Sequence, residues 1–238
     1  MRIIAWNCNM AFRKKAKYVL KEKPDIIVVS ESEHPDKFNF KSGQRLPNDV
    51  FWYGDNIHKG LGVYSYGNFK IIPLKEHQTE FKYVVPLLLK DNQKEIVLLA
   101  VWCQKPKNGA NYGAQLWNAI QYYSKLLENE RLLIVGDFNS NTIWDRPGRE
   151  ANHSNIVKKL KQYGIESTYH YLRNEAQGKE RQATFYLYRN KKKPYHLDYC
   201  FASSFFMGQL KKVQVGSHKK WAAQSDHSPL IVDFAEEP

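Results

Sequence analysis

Five short pieces of the chain hold residues that could do chemistry, each at the end of an apolar run or just after one: Asn7 in WNCN, Glu31 in VVSESE, Asp137 and Asn139 in GDFNSN, Asp198 in HLDYCF, and Asp226-His227 in SDHSP. Taken singly, several have ordinary structural explanations. Asn7 suits a turn, and Glu31 or Asp137 suits a surface ion pair. Two pieces say more. Gly-Asp-x-Asn after an apolar run presents two oxygen ligands from one tight turn. Asp198, inside Leu197-Asp198-Tyr199-Cys200-Phe201, requires a partner, because an isolated carboxylate is costly to bury. Together the acids and amides form a hard-oxygen donor set suited to Mg²⁺ or Mn²⁺, with no thiolate or poly-histidine set suited to zinc. Clustered carboxylates repel one another, and a divalent cation makes them tolerable near neutral pH. The adjacent Asp-His pair can move a proton or stabilise transition-state charge. The chemistry indicated is metal-assisted hydrolysis of a phosphate ester.

These residues need elements that hold them at one edge. Arg2 to Cys8 reads as a strand, and Ala11 to Lys23 as a basic amphipathic helix with Phe12, Ala16, Val19 and Leu20 on one stripe and Pro24 after it. Residues 25–31 form a continuous apolar run of strand length, suited to a strand covered on both faces. Residues 32–60 read as irregular, long enough for a functional loop. Leu61 to Ser65, Phe69 to Leu74, Val84 to Leu89 and Ile96 to Trp102 follow as a meander, with Gly67-Asn68 and Asp91-Asn92 as turns. Residues 114–129 read as a helix, 132–137 as a buried strand, and Asn155 to Tyr163 as a Lys-rich helix. Further strands are expected near 183–189, 196–202, 211–215 and 229–234. The blocks ending at Glu31 and Asp137 share one shape, a covering helix and then a buried strand with a terminal carboxylate. In layered α/β folds that end of the strands is where ligands sit.

Composition sets the bounds. With 42% apolar and 25% charged residues, the chain can build a core and is not a disordered tail. No Pro/Gly/Ser-rich linker interrupts it, so a single domain over 1–238 is expected. There is no run of 18 apolar residues and no leader-like start, so neither a membrane span nor secretion is expected. Cys8, Cys103 and Cys200 cannot all pair and form no zinc clip; buried thiols in a reducing, cytoplasmic compartment are the expectation. The 36 Lys+Arg against 24 Asp+Glu give +12, which fits a polyanionic partner and also a merely soluble surface.

The ordered set WNCN, PDIIVVSE, GDFNSN, HLDYCF and SDHSP resembles the endonuclease/exonuclease/phosphatase superfamily over residues 3 to 234. The resemblance implies a four-layer α/β/β/α sandwich, two packed mixed β-sheets flanked by helices. It implies that Asn7 and Glu31 hold the metal region with Asp226 as a further acidic ligand, and that Asp137 orients or deprotonates the attacking water. It further implies that Asn139 binds phosphate and that His227, oriented by Asp198, contacts the scissile phosphate. A single Mg²⁺, with Mn²⁺ as the substitute, is the implied cofactor. The chain departs from the pattern at Trp102, where a Tyr or His is common. Gln104 or Tyr112 could take over there, or metal-bound water could protonate the leaving group. Ser30 stands where a glutamine commonly precedes the metal-binding glutamate. His196, before the Leu-Asp pair, reads as a strand-edge side chain.

For substrate, the loop after the catalytic turn carries Trp144, Arg146, Arg149 and His153. An aromatic with guanidinium groups suits base stacking and phosphate pairing; a solvated loop with Trp144 packed inward is the other reading. Trp102 and Tyr112 complete the candidate substrate set. The basic groups at Arg13-Lys14-Lys15-Lys17, 189–193, Lys211-Lys212 and Lys219-Lys220 could track a phosphate backbone or form scattered solvated faces. The expected function is a metal-dependent nuclease cutting DNA or RNA. The alternatives are a phosphatase or phosphodiesterase on a nucleotide, inositol phosphate or lipid headgroup, and a non-catalytic nucleic-acid-binding module. Nothing implies an obligate protein partner.

Overall fold

Continuous apolar strands need cover on both faces, and two stacked sheets with helices outside provide it. The computed structural model describes residues 1–38, 45–105 and 112–235. The chain begins with β1 (Arg2–Asn7), α1 (Phe12–Val19), β2 (Ile26–Ser32), β3 (Asp49–Asn56), β4 (Lys59–Ser65), β5 (Lys70–Pro73), β6 (Val84–Lys90) and β7 (Glu95–Trp102). It continues with α2 (Gly113–Tyr122), α3 (Ser124–Leu127), β8 (Leu132–Asp137), α4 (His153–Lys161), β9 (Glu166–Ser167), α5 (Thr168–Arg173), β10 (Phe185–Tyr186) and β11 (Pro194–Tyr195). It ends with β12 (Asp198–Ala202), α6 (Ser204–Gln209), β13 (Leu210–Val215), α7 (His218–Trp221) and β14 (Leu230–Phe234). One six-stranded sheet has the order β13-β14-β1-β2-β4-β3, the other β5-β6-β7-β8-β12-β9, and β10-β11 form a separate ribbon. Both large sheets are mixed, with β1–β2 and β7–β8 parallel and antiparallel neighbours around them.

Alternation along the strands makes the layers. Ile3 and Ala5 of β1 and Val28 of β2 pack against Leu98, Ala100, Leu133 and Val135 of the facing sheet. Ile4, Trp6, Ile27 and Val29 point the other way, onto Phe12, Ala16 and Val19 of α1. On the far side, Leu99, Val101 and Ile134 meet Leu116 and Ile120 of α2 and Leu160 of α4. The result is the expected four-layer arrangement of helices, sheet, sheet and helices.

Several local expectations are corrected. The stretch 32–60 is not irregular throughout: β3 lies in it, an edge strand paired, among the described residues, only with β4. Residues 39–44 of that stretch lie outside the described residues. The run from Leu61 to Trp102 is not one meander, because β4 pairs with β2 and β3 while β5, β6 and β7 belong to the facing sheet. The helix expected over 114–129 breaks at Tyr123, whose ψ of 22° leaves the helical range. The first helix ends its α-turns at Val19 and passes through a 3₁₀ turn, Leu20–Glu22, to Lys23 at φ 52°. The strand expected near 183–189 is only Phe185–Tyr186, with a 3₁₀ turn after it. His196 is no strand-edge side chain: it lies before β12, is buried, and its Nδ1 is 2.8 Å from the Gln182 carbonyl. Cys8, Cys103 and Cys200 are free and buried, as expected.

Candidate active site

The carboxyl ends of β1, β2 and β8 converge with the start of β12, and the register does the positioning. Asp137, the last residue of β8, lies directly opposite Asp198 across the antiparallel pair and beside Trp102 across the parallel one. Gly136 permits this approach: it has φ 143°, and a Cβ there would lie 1.9 Å from the Val101 carbonyl oxygen. Asn7 crosses between the sheets. Its Nδ2 donates to Asp137 Oδ2 at 3.0 Å and to Glu31 Oε1 at 3.3 Å. Asn139 closes the other side, its backbone N–H 2.9 Å from Asp137 Oδ1 and its Nδ2 2.9 Å from Oδ2.

Backbone irregularities aim these side chains. Glu31 sits at φ 59° where the β2–β4 register shifts between Ser30 and Ser32, a bulge that redirects its side chain from the strand's alternation. Asn139 has φ 48°, and Asn9, Met10 and Ala11 form a consecutive left-handed run after β1. Lys15 braces that run, its Nζ donating to the Cys8 and Asn9 carbonyls at 2.6 and 2.9 Å. Left-handed non-glycine residues persist only where surroundings hold them, and five of the ten among the described residues stand at this site.

His227 supplies the imidazole. Its Nδ1 is 2.7 Å from Asp198 Oδ2, Phe185 packs on its ring, and Trp6 Nε1 donates to its carbonyl. Burial alone would lower the His227 pKa, but Asp198 and Asp137 beside it outweigh that and raise it to about 10. The two carboxylates thus favour the imidazolium at neutral pH. Asp137 is pushed up to about 7, first by burial and then by Asp198, with the His227 charge pulling the other way.

The residues present fit a hard cation. Asp198 Oδ1 is buried with no hydrogen-bond partner, and Asp137, Asp198 and His227 place ligand-type atoms within 4.8 Å of one another. An imidazolium cannot ligate, so the oxygens are the donors on offer. Glu31 is the most open of the buried-cluster acids, with 20% of its side chain exposed. Asn7 turns its NH₂ toward the carboxylates, while its Oδ1 accepts from the Asn9 N–H. Asp226 is set to one side, its Oδ1 accepting from Asn9 Nδ2 at 2.8 Å.

The substrate candidates divide. Tyr112, Trp144, Arg146, Arg149 and His153 line one groove of about 600 Å³ together with Asn139. Trp144 is exposed and rests on Tyr195. His153 is a floor residue, buried, with Nδ1 2.9 Å from Ser140 Oγ and its pKa lowered by burial to about 4. Trp102 lies outside that lining. It is 3% exposed and packed on Tyr83, which leaves no face for stacking on a base.

Sequence reading missed Asn9, Thr184, Ser225 and Lys59. Thr184 Oγ1 accepts the N–H groups of Leu197 and Asp198, both at 2.9 Å. Ser225 Oγ donates to the Asn7 carbonyl and accepts from the His227 N–H. Only Asn9 carried a signal, as the second amide of WNCN. The other three act through strand ends and loops that only the fold brings together.

No protein-family model and no curated protein sequence matches the chain. Solved structures do. The 3′ phosphatase NExo from Neisseria, bound to a product DNA hairpin, is 17% identical with a TM-score of 0.71, covering 99% of this chain and 100% of that one. An AP endonuclease from Archaeoglobus fulgidus is 19% identical with a TM-score of 0.71 over 98% and 99% of the two chains. The AP endonuclease LMAP from Leishmania major is 12% identical with a TM-score of 0.72 over 99% and 88%. These likenesses span nearly the whole chain, so the chain shares the fold of these solved proteins, the fold that the resemblance to the endonuclease/exonuclease/phosphatase superfamily implies.

Proposed function

We propose that this chain is a metal-dependent hydrolase of phosphodiester bonds in nucleic acid. The observation that carries the reading is the bonded series Asn139, Asp137, Asn7, Glu31 set beside the buried Asp198–His227 pair. Asp137, raised to about 7, is a base poised near neutral pH for the proton of an attacking water. Asn139 holds that carboxylate with its backbone N–H and Nδ2, and the second Nδ2 hydrogen goes to the Cys103 carbonyl, so donation to the phosphate requires that bond to open. His227 spends Nδ1 on Asp198, and its Nε2 is the donor for a phosphate oxygen whose charge grows in the transition state. Glu31, with Asp226 and Asn7 nearby, would hold a Mg²⁺ or Mn²⁺ ion, which would supply positive charge to offset that of the phosphate.

The groove extends the reading to substrate. Trp144 and Tyr112 offer faces for bases, and Arg146 and Arg149 offer charge for phosphates. The basic stretch from Arg13 contributes less, since Arg13 is paired with Glu33 and Lys15 is spent on carbonyls. That NExo was solved with a product DNA hairpin supports nucleic acid as the substrate class. The free, buried thiols favour a reducing compartment such as the cytoplasm; among the described residues no helix is long and apolar enough to cross a membrane.

The test is cleavage of single-stranded, duplex and abasic-site DNA and of RNA with Mg²⁺ or Mn²⁺. We expect at least one to be cut, and Asp137→Ala or His227→Ala to reduce the rate by about 10²–10⁴-fold. A wild type that cuts none of them overturns the reading.

A further inference from the structure

A further cation stands at the cluster, and the mechanism above gives it no task. Lys59 Nζ lies 3.3 Å from Glu31 Oε1 and 5.3 Å from the centre of the Trp102 ring. It is the first residue of β4, directly after the Ile57-His58 turn from β3, so its side chain starts from hydrogen-bonded strand. The side chain is 38% exposed, open enough to meet a substrate. Trp102 beside it can neither ionise nor carry charge, but its ring face favours an ammonium above it.

The bonded order gives the site an axis. Asn139 and Asp137 stand at one end, Asn7 in the middle, and Glu31 with Lys59 at the other. Displacement at phosphorus places the entering and departing oxygens in line, on opposite sides of the phosphorus. Water activated at Asp137 therefore sends the departing oxygen toward Glu31 and Lys59. The other cations near the centre already have tasks: His227 is held by Asp198 with its Nε2 assigned to a non-bridging phosphate oxygen, and Lys15 is spent on the Cys8 and Asn9 carbonyls.

We propose that Lys59 is a further catalytic residue of this centre, its charge stabilising the oxygen that departs from phosphorus; the proposal rests on the hydrolase reading. The bond from water oxygen to phosphorus forms and the water proton passes to the Asp137 carboxylate. The bond from phosphorus to the departing oxygen breaks, and its electron pair stays on that oxygen. Lys59 offsets that negative charge until bulk water protonates the alkoxide.

The experiment compares two substrates of the wild type, Lys59→Met and Lys59→Arg with Mn²⁺ present: a thymidine dinucleotide, whose departing group is an alkoxide, and the p-nitrophenyl ester of thymidine 5′-phosphate, whose phenolate leaves with little help. We expect Lys59→Met to lower kcat on the dinucleotide by about 10²-fold but on the nitrophenyl ester by less than about threefold, and Lys59→Arg to recover most of the loss. Calorimetry with Mn²⁺ alone separates this role from mere support of Glu31. Removing a neighbouring cation favours a dication, so Lys59→Met should bind Mn²⁺ at least as tightly as wild type. Equal losses on both esters, or weaker Mn²⁺ binding in Lys59→Met, overturn the role of Lys59 while leaving the hydrolase reading intact. A wild type that hydrolyses neither these esters nor the DNA and RNA substrates above overturns both.

Discussion

An imidazole buried between two carboxylates keeps its proton, and that makes His227 a sensor of its own neighbourhood. Its pKa is raised from the ordinary 6.5 to about 10. The folded state therefore binds a proton that the unfolded state releases above 6.5, so this group's stabilisation is complete below pH 6.5 and is lost as pH rises toward 10. Asp137, raised to about 7, has the same sign over the window from about 4 to 7. Between about 4 and 6.5 it is opposed by His153, whose lowered pKa favours folding as pH rises. The clean window is thus pH 7 to 8, because above it the buried thiols of Cys8, Cys103 and Cys200, raised by burial, add a slope of the same sign. Without divalent cation we expect the wild-type Tm to fall across it, and His227→Gln to flatten that slope, as thermal melts in matched buffers would show. A wild-type slope retained in His227→Gln would assign it to other groups. In the same samples, His227 imidazole resonances should remain those of the protonated ring at pH 8.

At the scale of elements, the site depends on short connections that keep strand ends in place. Thr184 precedes β10 and accepts two backbone N–H groups at the start of β12, while its own carbonyl accepts from Ser228 beside His227. Thr184→Val keeps the shape and leaves two buried donors without an acceptor, a loss of about 2–4 kcal/mol. Thr184→Ser should recover most of it, and chemical denaturation of the two variants is the check. Such connections explain what the sequence could and could not disclose. The runs 26–32 and 132–137 were legible because strands covered on both faces are continuously apolar, and the acids at their ends stand out. β3 was not, because it is an edge strand whose residues are all half-buried or exposed, which leaves no alternation to read. α5, α6 and α7 have six, six and four residues, too short for helical spacing to register. The same limit hid Lys59, which starts a strand inside a stretch that reads as loop. Asn7, Glu31, Asp137, Asn139, Asp198 and His227 were legible by motif, yet their order along one axis comes from register and from the bulge at Glu31.

Across the whole molecule, a net charge of +12 surrounds a cluster of acids. Setting aside Glu31, Asp137, Asp198 and Asp226, the remaining charge is more positive still, a field suited to drawing a polyanion toward the acids that we propose hold a cation. Some of the positive charge is already matched, as in Arg2 with Asp233, Arg13 with Glu33 and Lys220 with Glu22. Arg146 and Arg149, in the groove that opens from Asn139, are better placed to pair with phosphates. A polynucleotide that releases counterions on binding makes log KM rise steeply with log salt, whereas a single small phosphoester gives a shallow dependence. We therefore expect Arg149→Ala to raise KM for a single-stranded oligonucleotide and to reduce that slope by about 0.7, the contribution of one phosphate contact on a single strand. The same substitution should leave KM for the nitrophenyl ester of thymidine 5′-phosphate nearly unchanged, because that substrate is too short to occupy the groove and the centre together. A shallow wild-type slope would instead make the small phosphoester the better substrate class and detach the groove from catalysis.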